Sequence, residues 1–399
     1  MALRQAMPAT PAAAPRALVY FDNAAGAPLR PEVYEAMAPW LTRAFGNASA
    51  GHFLGRAARR AVDDARDDLA DVLGVEPAEV VFTSGGTEAD NLAISGVAAA
   101  ARARGLDRPM IACSAVEHPA VLEPVRATGG AVLAVDSEGI VDLEGLEGWL
   151  CSNPGRVVEV SVMLVNNETG VIQPIEMVEH LTREAAPGAL VHTDAVQALG
   201  WLDVSSLCAG VDLLSVSAHK IGGPQGTGAL VVRSRARSRV HPLLLGGPQE
   251  GELRAGTHDV AGVVGMARAA RLCAEEREET SRRVTELART LVTGILDGVP
   301  GAGAAVPCDL RVGAICNIFF DGVVGEELLI VLDELGVCAS GGAACATGAL
   351  EPSHVLLAMG RTAAQARRHI RLSLGYSSTA RDVEVAVAAV IEAVARLRV

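Results

Sequence analysis

The chain has 399 residues, half of them hydrophobic, and a formal net charge of −13. That length accommodates two domains with a large shared core, and the acidic balance excludes a nucleic-acid surface, which needs Lys and Arg clustered against phosphate. No apolar run is long enough for a membrane-spanning helix.

In chain order, the first seventeen residues are rich in Ala and Pro, carry Arg4 and Arg16, and lack the apolar core of a signal peptide. Residues 1–17 read as a disordered tail, with an organelle transit peptide as the alternative. A strand near Phe21 joins one of two domains, and the sequence does not say which. Strand-like runs then alternate with helical patterns: Val80 to Thr83, Met110 to Cys113, Ala131 to Val135, Val157 to Leu164, Leu190 to Thr193, Leu213 to Ser217 and Ala229 to Val232. Such alternation implies crossover units and a mainly parallel sheet, hence an α/β fold. Arg233 to Arg239, the densest basic run, reads as a solvated loop. After His258 an Ala, Arg and Glu-rich stretch to about Leu296 reads as a helix leaving this first domain. Strands near Ala314 to Phe320 and His369 to Leu374, with a final Val/Ala helix, make a smaller α+β domain. The expected division is 18–275 and 276–399.

Eight cysteines, at 113, 151, 208, 273, 308, 316, 338 and 345, show no CxxC pair and no metal-ligand spacing. Most are expected to be small buried hydrophobes in a reducing cytoplasm.

The segment Ser215 to Pro224 is an apolar strand that runs into Ser217, His219 and Lys220 before a glycine break. Sheets of this type deliver ligand-binding groups at the carboxyl ends of their strands, where a lysine of lowered pKa acts as an amine nucleophile. Lys220 therefore reads as a Schiff-base lysine. One strand earlier, Leu190 to Gln197 ends in Asp194 and, three residues on, Gln197. A pyridoxal phosphate site needs a carboxylate to keep the pyridine nitrogen protonated and a lysine to hold the aldehyde, and Asp194 and Lys220 suit these roles. Val80 to Asn91 adds a strand, a glycine turn and a helix start, where free N–H groups and the helix dipole attract an anion.

These segments resemble the cysteine desulfurases, class V aminotransferase relatives with the aspartate aminotransferase-like fold. The resemblance runs from about Tyr20 to the C-terminus. It is carried by Phe21-Asp22-Asn23-Ala24-Ala25, Thr83-Ser84-Gly85-Gly86-Thr87-Glu88, Glu117-His118-Pro119-Ala120-Val121-Leu122, Val165-Asn166-Asn167-Glu168-Thr169-Gly170, His192-Thr193-Asp194-Ala195-Val196-Gln197, Ser217-Ala218-His219-Lys220, Arg254-Ala255-Gly256-Thr257 and Ile370-Arg371-Leu372-Ser373-Leu374-Gly375, together with the loop around Cys345. It implies a large domain with a seven-stranded sheet that binds pyridoxal 5'-phosphate, and a small domain carrying a catalytic cysteine loop. Lys220 would hold the cofactor covalently and Asp194 would pair with its ring nitrogen. His118 would stack on the ring and move protons; Asn167 and Gln197 would bond its phenolic oxygen. Gly86, Thr87, Ser217 and His219 would hold the phosphate, with Thr257 reaching it from the neighbouring subunit of a homodimer.

Cys345 lies among small residues, Cys338 to Ser353, that suit a mobile loop. The resemblance implies that it attacks the sulfur of L-cysteine, leaves as a persulfide with L-alanine as the other product, and passes sulfur to an acceptor protein. The Leu350-Glu351-Pro352-Ser353 segment suggests the branch with the longer catalytic loop. No resident metal is implied, beyond Cys345 as a transient iron–sulfur cluster ligand. Arg371 stands in an apolar strand, where a charge needs a partner, and its fork suits a substrate carboxylate, which Asn167 would also contact. Ala48, Gly26, Ala27 and Gln225 depart from the family pattern without removing a catalytic group. The sulfur's destination stays open among iron–sulfur clusters, tRNA, cofactors and DNA. A transaminase, a selenocysteine lyase and a non-catalytic sulfur carrier are the alternatives.

Overall fold

The computed structural model describes residues 18–341 and 352–398, so the tail at 1–17 and Cys345 lie outside the described residues. Twelve strands follow along the described chain: β1 (Val19–Tyr20), β2 (Val80–Thr83), β3 (Met110–Ser114), β4 (Ala131–Leu133), β5 (Val157–Ser161), β6 (Leu190–Asp194), β7 (Leu213–Ser217), β8 (Gly228–Val232), β9 (Ala302–Ala304), β10 (Ile315–Phe320), β11 (Val337–Cys338) and β12 (His369–Ser373). Seven of them make one sheet in the order β2-β8-β7-β6-β5-β3-β4. Every neighbouring pair is parallel except the two that involve β8, which runs against both β7 and β2.

The central strands are buried on both faces because helices cover each side of the sheet. Strands β5 to β8 are buried at every position. On one side Val160, Val191, Leu214 and Val216 pack against Leu69 and Met266. On the other, Ile111, Leu190, Leu213 and Leu230 meet Leu92, Ile94 and Val121. Five mutually parallel strands, β3 to β7, thus end at one edge of the sheet, and Asp194 and Ser217 are the last residues of β6 and β7.

A second core forms around the antiparallel sheet β12-β10-β9, with Phe21, Leu291, Phe320, Leu328 and Val390 among its buried residues. The N-terminal strand joins this half: β1 pairs in parallel with β11, Val19 opposite Val337. One 39-residue helix, Val260–Gly298, links the two cores. Its first half buries Met266 and Ala270 in the larger core and its second half buries Leu291 and Ile295 in the smaller.

The Arg233–Arg239 run is not a solvated loop, as its composition suggested. Arg233 pairs with Glu79, Arg235 with Asp212, Arg237 donates to the Ala78 and Gly251 carbonyls, and Arg239 to that of Gly188. The run reads as loop because its partners lie far away in sequence, while its role is to tie carbonyls at the ends of β2 and β7. Among the described residues no helix is long and apolar enough to cross a membrane.

Glu159, in the middle of β5, is fully buried and neither carboxylate oxygen has a hydrogen-bond partner. Burial raises its pKa well above the ordinary value, against the pull of Arg239. A proton retained in the folded state and lost on unfolding makes stability fall as pH rises past the unfolded carboxyl value. Glu159→Met should therefore stabilise the protein by about 1–3 kcal/mol near neutral pH. Thermal midpoints at pH 5 and pH 8 check this: the gain must be larger at pH 8, and a gain independent of pH would contradict it.

Candidate active site

At the carboxyl edge of the large sheet lies a cavity of about 370 Å³. Its walls come from Ala24 and Ala25 after β1, Gly86 and Thr87 at the start of the helix Gly86–Ala103, His118, Asn167, the end of β6, the short turn Ala218–Lys220 after β7, and Arg371 of β12. Segments hundreds of residues apart in sequence thus meet at one place. The sequence-derived candidates Lys220, Asp194, His118, Asn167, Gln197, Gly86, Thr87, Ser217, His219 and Arg371 all line it.

Lys220 reaches back across the cavity to the N-terminal segment, donating to the Ala24 carbonyl at 2.6 Å and that of Ala25 at 2.9 Å. Gln197 donates to the same Ala24 oxygen at 2.8 Å. Asp194 is 5% exposed and its Oδ1 accepts the Val196 N–H at 2.8 Å. Burial raises its carboxyl above the ordinary range, partly offset by that N–H and by the Lys220 charge. A carboxylate so placed gains from a cationic neighbour, because the neighbour replaces the water it has lost.

Two imidazoles flank the lysine. His118 caps the helix Pro119–Thr128 through Nδ1, which accepts from the Ala120 N–H at 3.1 Å. Burial and then the Lys220 charge lower its pKa to about 4, so near neutral pH the ring is uncharged with its proton on Nε2. His219 bonds Ser217 Oγ at 2.9 Å, and the same two causes lower its pKa to about 4.

The helix Gly86–Ala103 begins without a side-chain cap: Gly85 is its N-cap at φ 148°, a conformation open to glycine, and the helix start faces the cavity beside Thr87. A Cβ on Gly86 would meet Val196 Cγ2 at 2.8 Å, so the helix start and the Val196 wall approach as closely as they do only through glycine. An uncapped N-terminus, two hydroxyls and a neutral imidazole form a phosphate-shaped donor set.

Arg371 is 2% exposed. Its Nη2 pairs with Asp22 at 2.8 Å and its Nη1 donates to the Asn167 carbonyl at 2.9 Å, while its Nε is buried with no partner. Arg371 lines the cavity, and its planar fork is the group there suited to a carboxylate. The described residues on either side of Cys345 are tied to Arg371 and to Glu168, the residue after Asn167. Ser340 is bridged to Arg371, and Ser353 Oγ donates to Glu168 at 2.5 Å. Thr257 is exposed and lines no part of its own chain's cavity.

Sequence reasoning missed several residues that shape the site. Asp22 neutralises Arg371, and its place in the Phe21–Ala25 motif was the available signal. Asp90 also lines the cavity, buried to 1%, and Glu117 is buried behind it with its carboxyl pushed up by burial to about 8. Isolated acids inside helices and motifs give no periodic signal. Among the described residues no cluster of His, Cys, Asp and Glu could hold a metal ion.

The model of the class V aminotransferases (Aminotransferase class-V) matches residues 19–385. An "IscS-like cysteine desulfurase" of Mycobacterium tuberculosis is 43% identical over 96% of this chain and 97% of its own. A "Cysteine desulfurase IscS" of Dictyoglomus turgidum is 40% identical over 95% of each chain. Among solved structures, a "NifS-like protein" superposes with a TM-score of 0.87 at 33% identity, covering 94% of this chain and 99% of its own.

Proposed function

The chain belongs to the class V aminotransferase family as a cysteine desulfurase, a pyridoxal-phosphate-dependent sulfurtransferase, and from that premise we propose how its own residues divide the work. The observation that carries the proposal is the convergence of an amine, a buried carboxylate, an uncapped helix start and an orphaned guanidinium donor on one cavity. Pyridoxal 5'-phosphate, when bound, supplies an electron sink for negative charge at the substrate α-carbon. Lys220 would hold it covalently, Asp194 would keep its ring nitrogen protonated, and Gly86, Thr87, Ser217 and His219 would hold its phosphate. Asn167 and Gln197 would bond its phenolic oxygen, and His118 would serve its ring. Thr257 completes the phosphate site from the second subunit of a homodimer.

Arg371 binds the substrate carboxylate through the N–H groups that Asp22 and Asn167 leave over. The Lys220 amine would take the α proton of the bound substrate, with His118 as a second proton carrier. The Cys345 thiolate then attacks the substrate sulfur. An S–S bond forms as the C–S bond breaks, leaving a Cys345 persulfide and, after proton uptake at carbon, L-alanine. The tie of Ser340 to Arg371, and of Ser353 to Glu168 next to Asn167, supports that role for the cysteine between them. The persulfide passes to an acceptor thiol outside the chain.

Alanine and sulfide formation from L-cysteine with a reducing thiol tests the reaction, and the visible absorption of the lysine-bound cofactor tests the site. Arg371→Lys keeps the charge but not the fork, and should raise KM for L-cysteine roughly 10- to 100-fold with cofactor binding unchanged. An unaltered KM would remove Arg371 from the substrate site.

A further inference from the structure

After the segment 233–247, the chain makes a turn that side chains rarely tolerate. Glu250 has φ 45°, Gly251 φ 58° and Glu252 φ 69°, so two non-glycine residues stand in the left-handed region. Such a turn persists only where its surroundings over-determine it. Here the Glu250 carboxylate is the clamp: the residue is 8% exposed and accepts from Arg66 Nη1 at 2.8 Å, Arg66 Nη2 at 2.6 Å and the Phe82 N–H at 2.8 Å. Its Oε1 also lies 2.7 Å from His258 Nε2. These donors outweigh burial and hold the carboxyl down at about 2, so it is charged wherever the protein is folded. A second tether lies at Arg254, which pairs with Glu88 at 2.9 Å, and Glu88 also accepts the Ser84 N–H at 2.6 Å. Both tethers end on β2 and the turn that follows it. Between the Arg254 tether and the Glu250-held His258 stands Thr257, exposed and absent from the cavity of its own chain.

We propose that Glu250 is a positioning residue that acts across the subunit boundary: by fixing the strained turn and gripping His258, it sets where Thr257 stands and so completes the phosphate site of the neighbouring copy. The inference rests on the homodimer and on the role of Thr257 proposed above. The chemistry requires nothing of Glu250 itself except geometry, since its four donors leave it no capacity to touch a ligand.

Subunit complementation tests it in the full-length protein. Differently tagged Glu250→Gln and Lys220→Ala chains are co-expressed and the mixed dimer is purified through both tags. Its one lysine-bearing site belongs to the Glu250→Gln chain, while the Thr257 that serves that site comes from the chain with Glu250 intact. Cofactor affinity is read from the absorption of the lysine-bound form. The Glu250→Gln homodimer should lose roughly tenfold in affinity, the cost of one charged hydrogen-bond partner, and the mixed dimer should return to the wild-type value. A mixed dimer as weak as the Glu250→Gln homodimer overturns the proposal, because Glu250 then acts within its own chain through Phe82 and Ser84. Wild-type affinity in the Glu250→Gln homodimer overturns it equally. If Glu250→Gln does not fold, His258→Gln removes a single donor and must give the same pair of results in milder form. Unchanged affinity in a Thr257→Ala homodimer, or a monomeric wild type, marks failure of the shared-site reading itself, and with it of this inference.

Discussion

Replacing Cys345 by alanine is expected to lower sulfide and alanine formation from L-cysteine by roughly 10³-fold or more, the scale on which removal of a nucleophile is felt, with the bound cofactor's spectrum intact. The expectation follows from what the other thiols are. Cys113, Cys208, Cys273 and Cys316 are buried, and burial pushes their pKa values up, to about 12 for Cys208 and about 11 for Cys273. A thiol that does not ionise is a poor nucleophile. Cys338 is raised as well, by burial and then by Asp333 and Asp22. Cys151 and Cys308 are exposed, but neither lines the cavity. No described cysteine can therefore stand in, and mass spectrometry after a single turnover should find the extra sulfur on residue 345 alone. A persulfide on another cysteine, or sulfide release undiminished in Cys345→Ala, would defeat the assignment.

The parts of the molecule that were legible in its sequence are those where one local rule acts alone. Apolar runs of four to eight residues between helical patterns located the seven strands of the large sheet within a few residues. Their direction was not legible: Ala229 to Val232 reads like its neighbours, yet β8 runs antiparallel to both, because a fully buried strand carries no mark of polarity. The partner of the first strand was equally hidden, since Val19 and Val337 are more than three hundred residues apart in sequence. Asp194, Lys220 and Arg371 stood out because each is a charge at the end of, or within, an apolar strand. Glu250 did not stand out. Its meaning lies in Arg66, Phe82 and His258, which only the folded chain assembles. The same holds for the Arg233–Arg239 run, whose partners Glu79 and Asp212 come from other turns of the chain.

Lys220→Ala should show the largest loss, because one amine serves as both covalent anchor and proton carrier. Turnover should fall by at least roughly 10³-fold, on the scale of losing general base and nucleophile together, and the absorption of the lysine-bound cofactor should vanish. The cofactor itself should remain, held by Asp194 and the phosphate donors, with a spectrum that responds to added amino acid. Losing the ammonium also removes one cause of the low imidazole pKa values. His118 and His219 should then take up protons at a higher pH than in the wild type, since the Lys220 charge is part of what lowers both. Two explanations of inactivity thereby separate. If the lysine is only an anchor, a small primary amine added to Lys220→Ala restores nothing once the substrate has joined the cofactor. If the lysine also moves the α proton, the amine restores turnover in proportion to its concentration, and Lys220→Arg, which fills the space and stays protonated, remains inactive. The position of Nζ, held between the Ala24 and Ala25 carbonyls rather than in solvent, favours the second result. Those carbonyls accept the protons of an ammonium and give it a place to wait after each transfer, so the amine-rescued enzyme should remain slower than the wild type at any amine concentration.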